Sequence, residues 1–212
     1  MDQTVVELAE SGQALLLDCA DRTARPVPFD SQAPALLVID SSVSHALAEG
    51  AYAQRRADCE QAGALLGVNT LREVSPDQLA RLKDEGLLLQ RATHVVSENQ
   101  RVCDAVAAIE QRQWDRLGAL MTASHRSLRD DYEVSCPELD LLVELAAVER
   151  GVYGARMTGG GFGGCVIVLV DTDQIEAVAD RISGQYGDRI GWATGCYRIQ
   201  AGAGAREICA AL

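Results

Sequence analysis

Arg156-Met-Thr-Gly-Gly-Gly-Phe-Gly-Gly-Cys-Val-Ile-Val-Leu-Val170 decides how this chain is read. Five of the six residues from Gly159 to Gly164 are glycine, and the apolar run Cys165 to Val170 follows at once. Fixing a glycine costs more ordering entropy than fixing any other residue. A cluster this dense implies a backbone that takes positive φ or presses against something bulky. The run after it has the length and apolarity of a buried strand. Gly159-x-Gly161-x-x-Gly164 spells the dinucleotide fingerprint, but that fingerprint needs a strand before the glycines and a helix after them, so that the helix N-terminus meets the pyrophosphate. Here a strand comes after. No Gly-Lys-Ser/Thr follows either, which excludes the phosphate loop of the nucleotide triphosphatases. What remains is a loop entering a strand, either a tight structural turn or the wall of a site.

Outward from that loop, the pattern is that of a mixed fold. Gln13 to Asp18 and Ala35 to Asp40 read as strands, with a proline-bearing edge segment near Val27 between them. Ser44 to about Leu66 reads as helix. Leu88, Ala92, Val95, Asn99, Val102, Val106 and Ile109 keep the spacing of one inward helix face. Trp114, Leu117, Met121 and Leu128 mark another helix. Ser135-Cys-Pro-Glu138 has the form of a capping box with proline in the first turn, opening a short helix through Leu139, Leu142 and Val143. Ile175, Val178, Ala179 and Ile182 give a helix, and Ile190 to Ile199 a strand. The expectation is an α+β fold, a sheet with helices on one face that ends in strand, helix, strand. Ala201 to Ala205 and the first few residues read as free ends.

Composition narrows the partners. The 212 residues are 48% hydrophobic and carry a formal net charge of −12, with mean hydropathy −0.01 and pI about 4.6. Nucleic acid and anionic membranes both call for a basic face, so neither is expected. The seven cysteines, at 19, 59, 103, 136, 165, 196 and 209, are odd in number and form no Cys-x-x-Cys. Several lie in apolar runs, so most read as buried thiols in a reducing compartment, and a cytoplasmic location is expected. His45, His94 and His125 show no zinc spacing. The first residues have neither the basic nor the apolar region of a signal peptide.

Several segments together resemble the galactokinases of the GHMP small-molecule kinase superfamily. They are Met1-Asp-Gln3, Leu15-Leu-Leu-Asp-Cys19, Ser44-His-Ala-Leu47 with Tyr52 and Arg55-Arg56, Arg91-Ala-Thr-His-Val-Val96, Ser124 to Asp140, and Val152 to Cys165. The glycine loop looks like the third of that superfamily's three motifs. The first, which holds the sugar, and the second, a Gly-Leu-Ser-Ser-Ser type loop that cradles ATP phosphates, have no match in these residues. The resemblance therefore implies the C-terminal half of such a protein: residues 1–40 a remnant of the N-terminal domain, residues 41–212 the GHMP-kinase C-terminal domain. Asparagine is common in the family at Ser42, and arginine at Thr93.

What the resemblance implies chemically is ATP-dependent phosphorylation of galactose at its anomeric hydroxyl, giving galactose 1-phosphate. ATP and Mg²⁺ are the expected cofactors, with the metal ligands and the nucleotide cradle in the missing N-terminal half and a monomer when intact. An N-acetylgalactosamine kinase and a non-catalytic sugar sensor are the alternatives. Without its phosphate loop the chain is expected to be inactive alone. Asp2 stands at the position of the family's catalytic aspartate; read from residues alone it is a helix-start carboxylate. Tyr52 matches the sugar-contacting tyrosine, and is otherwise an ordinary helix residue. Thr158, Gly159, Gly160, Gly161, Gly163 and Gly164 are expected to shape the site without binding phosphate directly. His125, Arg129, Asp130, Asp131 and Tyr132 read as a structural network, and Arg55 and Arg56 as a solvated helix face.

Overall fold

The computed structural model describes residues 2–44 and 48–206, with the side chains of Asp2, Ser44, Ala48 and Glu49 outside that description. His45, Ala46 and Leu47 of the Ser44–Leu47 motif therefore lie outside the described residues. The chain opens with helix α1 (Asp2–Leu8), then a hairpin of β1 (Gln13–Asp18) and β2 (Thr23–Pro28). Strand β3 (Ala35–Ser44) leads to helices α2 (Ala48–Leu66), α3 (Leu87–Glu110), α4 (Trp114–Asp130) and α5 (Pro137–Ala147). Strands β4 (Val152–Thr158) and β5 (Gly163–Val170), helix α6 (Ile175–Ile190) and strand β6 (Gly195–Ile199) complete it. The fold is α+β, as the sequence pattern predicts. The main sheet has the order β4-β5-β3-β6, antiparallel throughout.

Strand β5 is the middle of that sheet. Val166, Val168, Leu169 and Val170 are all fully buried, so both faces of the strand are covered. Val166, Val168 and Val170 pack with Leu139, Leu142 and Val143 of α5 and Val178, Ile182 and Tyr186 of α6. Leu169 points the other way, toward Ala108 of α3 and Leu117 of α4. This corrects the expectation of helices on one face only. An unbroken apolar run, unlike an alternating one, belongs to a strand buried on two sides. A separate cluster, Ala62, Leu66, Leu71, Leu82, Leu88 and Ala92, joins α2 to α3.

Other boundaries also move. β3 does not stop at Asp40 but runs to Ser44 across an irregularity, with Ser42 at φ +56°. Asparagine tolerates that left-handed conformation better than serine does. α6 continues through Ile190 and stops at Gly191, whose φ is +92°, so the strand assigned from Ile190 begins only at Gly195. Val102 is 47% exposed and the inward face of α3 carries Arg91 and His94 instead. The capping box at Ser135 does not form. Pro137 is the first helical residue and Cys136 the cap, while the Ser135 hydroxyl donates to Asp140 Oδ1 at 2.5 Å. Ala201 to Ala205 are not a free end: the Gly204 and Ala205 N–H groups donate to the carbonyls of Ala9 and Val6 at 2.7 and 2.6 Å, and Gly12 N–H to Ala201 at 3.0 Å.

Helix α4 meets β4 through backbone. A Cβ on Gly118 would lie 2.0 Å from the Tyr153 carbonyl oxygen, and one on Gly154 2.0 Å from that of Gly118. Neither neighbour is a flexible side-chain tip, so the helix or strand itself must move. Gly118→Ala and Gly154→Ala are each expected to cost about 3 kcal/mol, read as a lower urea midpoint. A Gly118→Ala midpoint equal to the parent's would show that the helix does not sit this close.

Candidate functional site

The glycine loop is the connection between β4 and β5, two strands paired antiparallel up to Thr158 opposite Cys165. Gly159, Gly161, Gly163 and Gly164 all have positive φ, from +84° to +124°, as does Phe162 at +61°. The loop is thus built from conformations that glycine adopts without steric cost. Two of its sides differ. A Cβ on Gly161 would lie 2.3 Å from the Val134 carbonyl oxygen, and Phe162 N–H donates to that same oxygen at 2.7 Å. Gly159, Gly160 and Gly164 face open space, with no atom within 4 Å of where their Cβ would be. Thr158 is the exposed last residue of β4. One rim of the loop is docked, and the other is bare backbone that a ligand can approach.

β3 ends beside this loop. The Ser41 hydroxyl donates to the Gly164 carbonyl at 2.7 Å, and Tyr186 donates to the Ser41 carbonyl at 2.9 Å. Thr194 Oγ1 donates to the Asp40 carbonyl. The irregular end of β3 is therefore pinned from α6 and from the approach to β6, directly ahead of the helix that carries Tyr52. Tyr52 is 66% exposed, early in α2. Asp2 is the first residue of α1. Neither is joined to the loop by a described hydrogen bond. Asp2's side chain lies outside the described residues, so its place relative to the loop rests on resemblance alone.

Behind the loop lies a charged interior that the sequence reading missed. Arg91, only 1% exposed, donates from Nη2 to Glu133 Oε2 at 2.5 Å and from Nη1 to the Asp131 carbonyl. Its Nε stands 3.7 Å from Asp58 Oδ2. Arg55 donates to the Tyr132 and Glu133 carbonyls at 2.5 and 3.1 Å and lies 3.8 Å from Asp58. Arg55 is thus not on a solvated face; only Arg56, paired with Glu60 at 2.8 Å, is. A charge in an inward helix stripe is the signal that was available: Arg91 follows Leu88 by one turn, and Asp58 precedes Ala62 by one.

The residues expected to form a structural network are held in several separate sets of contacts. His125 Nδ1 accepts from Met157 N–H at 3.3 Å, and its Nε2 stands 3.3 Å from Asp140. Asp131 accepts from Ser127 at 2.7 Å, and Arg129 pairs with Asp130 at the surface. Burial opposes ionisation of Asp140, but hydrogen bonds from His125 and Ser135 outweigh it and hold its carboxyl below the usual range. Among the described residues no three His, Cys, Asp or Glu side chains converge as a metal site. No described helix is long and apolar enough to cross a membrane.

Residues 105–188 match the family model described as GHMP kinases C terminal. The chain is 44% identical to a galactokinase from Homo sapiens, an alignment covering 99% of this chain and 53% of that one. It is 46% identical to a galactokinase from Streptomyces coelicolor, covering 86% and 48%. The crystal structure of Lactococcus lactis galactokinase complexed with galactose superposes with a TM-score of 0.91 at 33% identity, covering 97% of this chain and 55% of that one. Over nearly all of its length the chain is similar to galactokinases of the GHMP superfamily. It corresponds to the C-terminal part of such proteins. It spans about half the length of the galactokinases it matches. The docked glycine loop lies within the residues that match the GHMP kinases C terminal model, and its scaffold is the sheet just described.

His94 gives this interior a pH signature. It contacts Ser127 Oγ at 3.0 Å and stacks on Tyr132 at 4.3 Å. Burial, then the charges of Arg101, Arg156 and Arg91, pull its pKa from 6.5 down to about 4. The unfolded chain binds the proton first, so the contribution is complete above pH 6.5 and is lost as pH falls toward 4. Its size is about 3 kcal/mol, at roughly 1.4 kcal/mol per unit. The urea midpoint of the parent should fall between pH 7 and pH 5, and that of His94→Gln should fall less. Equal slopes for the two would place the lost stability elsewhere.

Proposed function

We propose that this chain is the part of a galactose kinase that supplies the proton-accepting carboxylate, Asp2, and a glycine wall, Thr158 to Gly164. The reaction is transfer of the γ-phosphoryl group of ATP to the anomeric hydroxyl of galactose, giving galactose 1-phosphate and ADP. The likeness to the Lactococcus lactis galactokinase, complexed with galactose and superposing over nearly all of this chain, carries the reading. The domain division of the sequence analysis goes with it, residues 1–40 with the N-terminal domain and 41–212 forming the C-terminal one, β3 crossing that boundary as a strand of the shared sheet. So do a monomeric intact protein and a cytoplasmic location.

Phosphoryl transfer asks for positioning and charge stabilisation more than for covalent chemistry. A carboxylate at hydrogen-bond distance from the attacking hydroxyl orients it and takes its proton as the phosphoryl group arrives. The tyrosine ring of Tyr52, exposed early in α2, is suited to cover an apolar sugar face while its hydroxyl reaches a sugar oxygen. The bare rim at Gly159, Gly160 and Gly164 leaves room for a substrate to lie against backbone. Magnesium, when bound with ATP, neutralises phosphate charge; the described residues offer no metal cluster, and its ligands are assigned outside them.

Two measurements test this. Incubated with ATP, Mg²⁺ and galactose, residues 1–212 alone should form no sugar phosphate, since they contain no Gly-Leu-Ser-Ser-Ser type cradle; product from the purified chain would sink that division of labour. In a protein extended to the full length of its relatives, galactose should be phosphorylated, and Asp2→Asn should lower turnover by about 10² to 10⁴ with little change in KM. Turnover retained in Asp2→Asn would remove Asp2 from the chemistry. Tight binding of ATP and galactose with negligible turnover by the extended parent would point to a sensor. Preference for N-acetylgalactosamine in a substrate panel would reassign the sugar.

A further inference from the structure

Among the described residues, the largest fully buried side chain carries a charge. Arg91 is 1% exposed on α3, and its fork is aimed at one short turn. That turn, residues 131–134, links α4 to α5. Arg91 holds the Asp131 carbonyl and the Glu133 carboxylate. Arg55 reaches the same turn from α2 and holds the Tyr132 and Glu133 carbonyls. Asp58, whose Oδ1 accepts from Gln54 at 2.8 Å, stands between the two guanidinium groups. Two cations and two carboxylates thus balance in one place. Glu133 itself sits at φ +51°, a conformation a glutamate adopts only when its surroundings impose it.

The glycine loop docks at the end of this turn. Val134 accepts the Phe162 N–H and blocks the space beside Gly161. On α2, Tyr52 lies three residues before Arg55. A continuous series of contacts therefore runs from the Tyr52 helix through Arg55 to Tyr132 and Glu133, then through Val134 to Gly161 and Phe162. We infer that Arg91 and Arg55 are positioning residues: with Asp58 they clamp the 131–134 turn, and through it set the glycine loop relative to the helix that bears Tyr52. Neither side chain touches substrate in this scheme. The inference rests on the kinase reading for its consequence, but the clamp can be measured without any catalysis.

The test compares Arg91→Lys and Arg91→Met with Leu88→Ala, a buried neighbour one turn earlier on α3 that belongs to the α2–α3 core. All are studied where circular dichroism shows them folded. Amide exchange in residues 1–212 is followed at Phe162, bonded to Val134, and at Val168, in the middle of β5. Both Arg91 variants should speed exchange at Phe162 at least about tenfold more than at Val168, whereas Leu88→Ala should shift the two amides alike. In the extended protein, Arg91→Lys should raise KM for galactose by about tenfold or more, since small misplacements of a site are costly, and Leu88→Ala should leave it unchanged. Phe162 exchange that tracks Val168 in the Arg91 variants would overturn the clamp. Faster exchange with an unchanged KM would overturn its role in positioning. If the extended parent phosphorylates no sugar, the kinase reading fails, and exchange at Phe162 then decides the clamp by itself.

Discussion

The described structure is arranged around β5, a strand whose last three residues, Val168 to Val170, are fully buried on both faces. Where β5 is covered on both faces, each of its backbone N–H and C=O groups must find a partner within the sheet. β3 on one side and β4 on the other supply them. That obligation forces β4 to return immediately into β5, and the return is the glycine loop. It also forces a helix layer on each face, and on the α4 side the layer is so close that two glycines meet backbone to backbone. The loop's shape is therefore inherited from the sheet, and its orientation is completed by one carbonyl, that of Val134.

The charged interior behind that carbonyl has a different logic. Burying an ion pair in place of apolar residues of similar volume gains little or nothing, while removing one partner costs about 3–5 kcal/mol because the other is left stranded. Such a group is poor mortar but a good locator, since a guanidinium fork accepts few geometries. Arg91 and Arg55 both address main-chain carbonyls of a turn whose N–H groups at Asp131, Tyr132 and Val134 bond back to Ser127 and Leu128 of α4. The carbonyls of the turn need donors from elsewhere, and here two helices lend them.

Much of the architecture was legible because burial drives periodicity. The run from Cys165 to Val170, the inward residues of α4 and α6, and the α+β class are direct consequences of apolar spacing. Ends were less legible, although the signals existed. Gly191 is a helix stop in left-handed conformation, yet Ile190 reads equally well as the start of a strand. Proline at 137 fixes the cap at Cys136, so a serine at 135 is one residue too early. Thr70 with Glu73 and Ser75 with Gln78 carry the capping-box spacing and form it. The glycine loop could be found from composition alone. Asp2 and Tyr52 could be found only by resemblance. The Arg91 and Arg55 contacts join residues dozens of positions apart, which no local pattern encodes; a charge inside an apolar stripe was the only trace.

α1 has seven residues, too few to hold a helix in water unaided. Its Val6 carbonyl accepts from Ala205 N–H, the carbonyl of Ala9 just past its end accepts from Gly204, and a Cβ on Gly204 would lie 2.5 Å from the Val6 oxygen. The stretch beyond β6 thus serves as a splint for the helix that begins at Asp2. Residues some two hundred positions away in sequence become custodians of that short helix, and any side chain introduced at Gly204 would be felt first at α1.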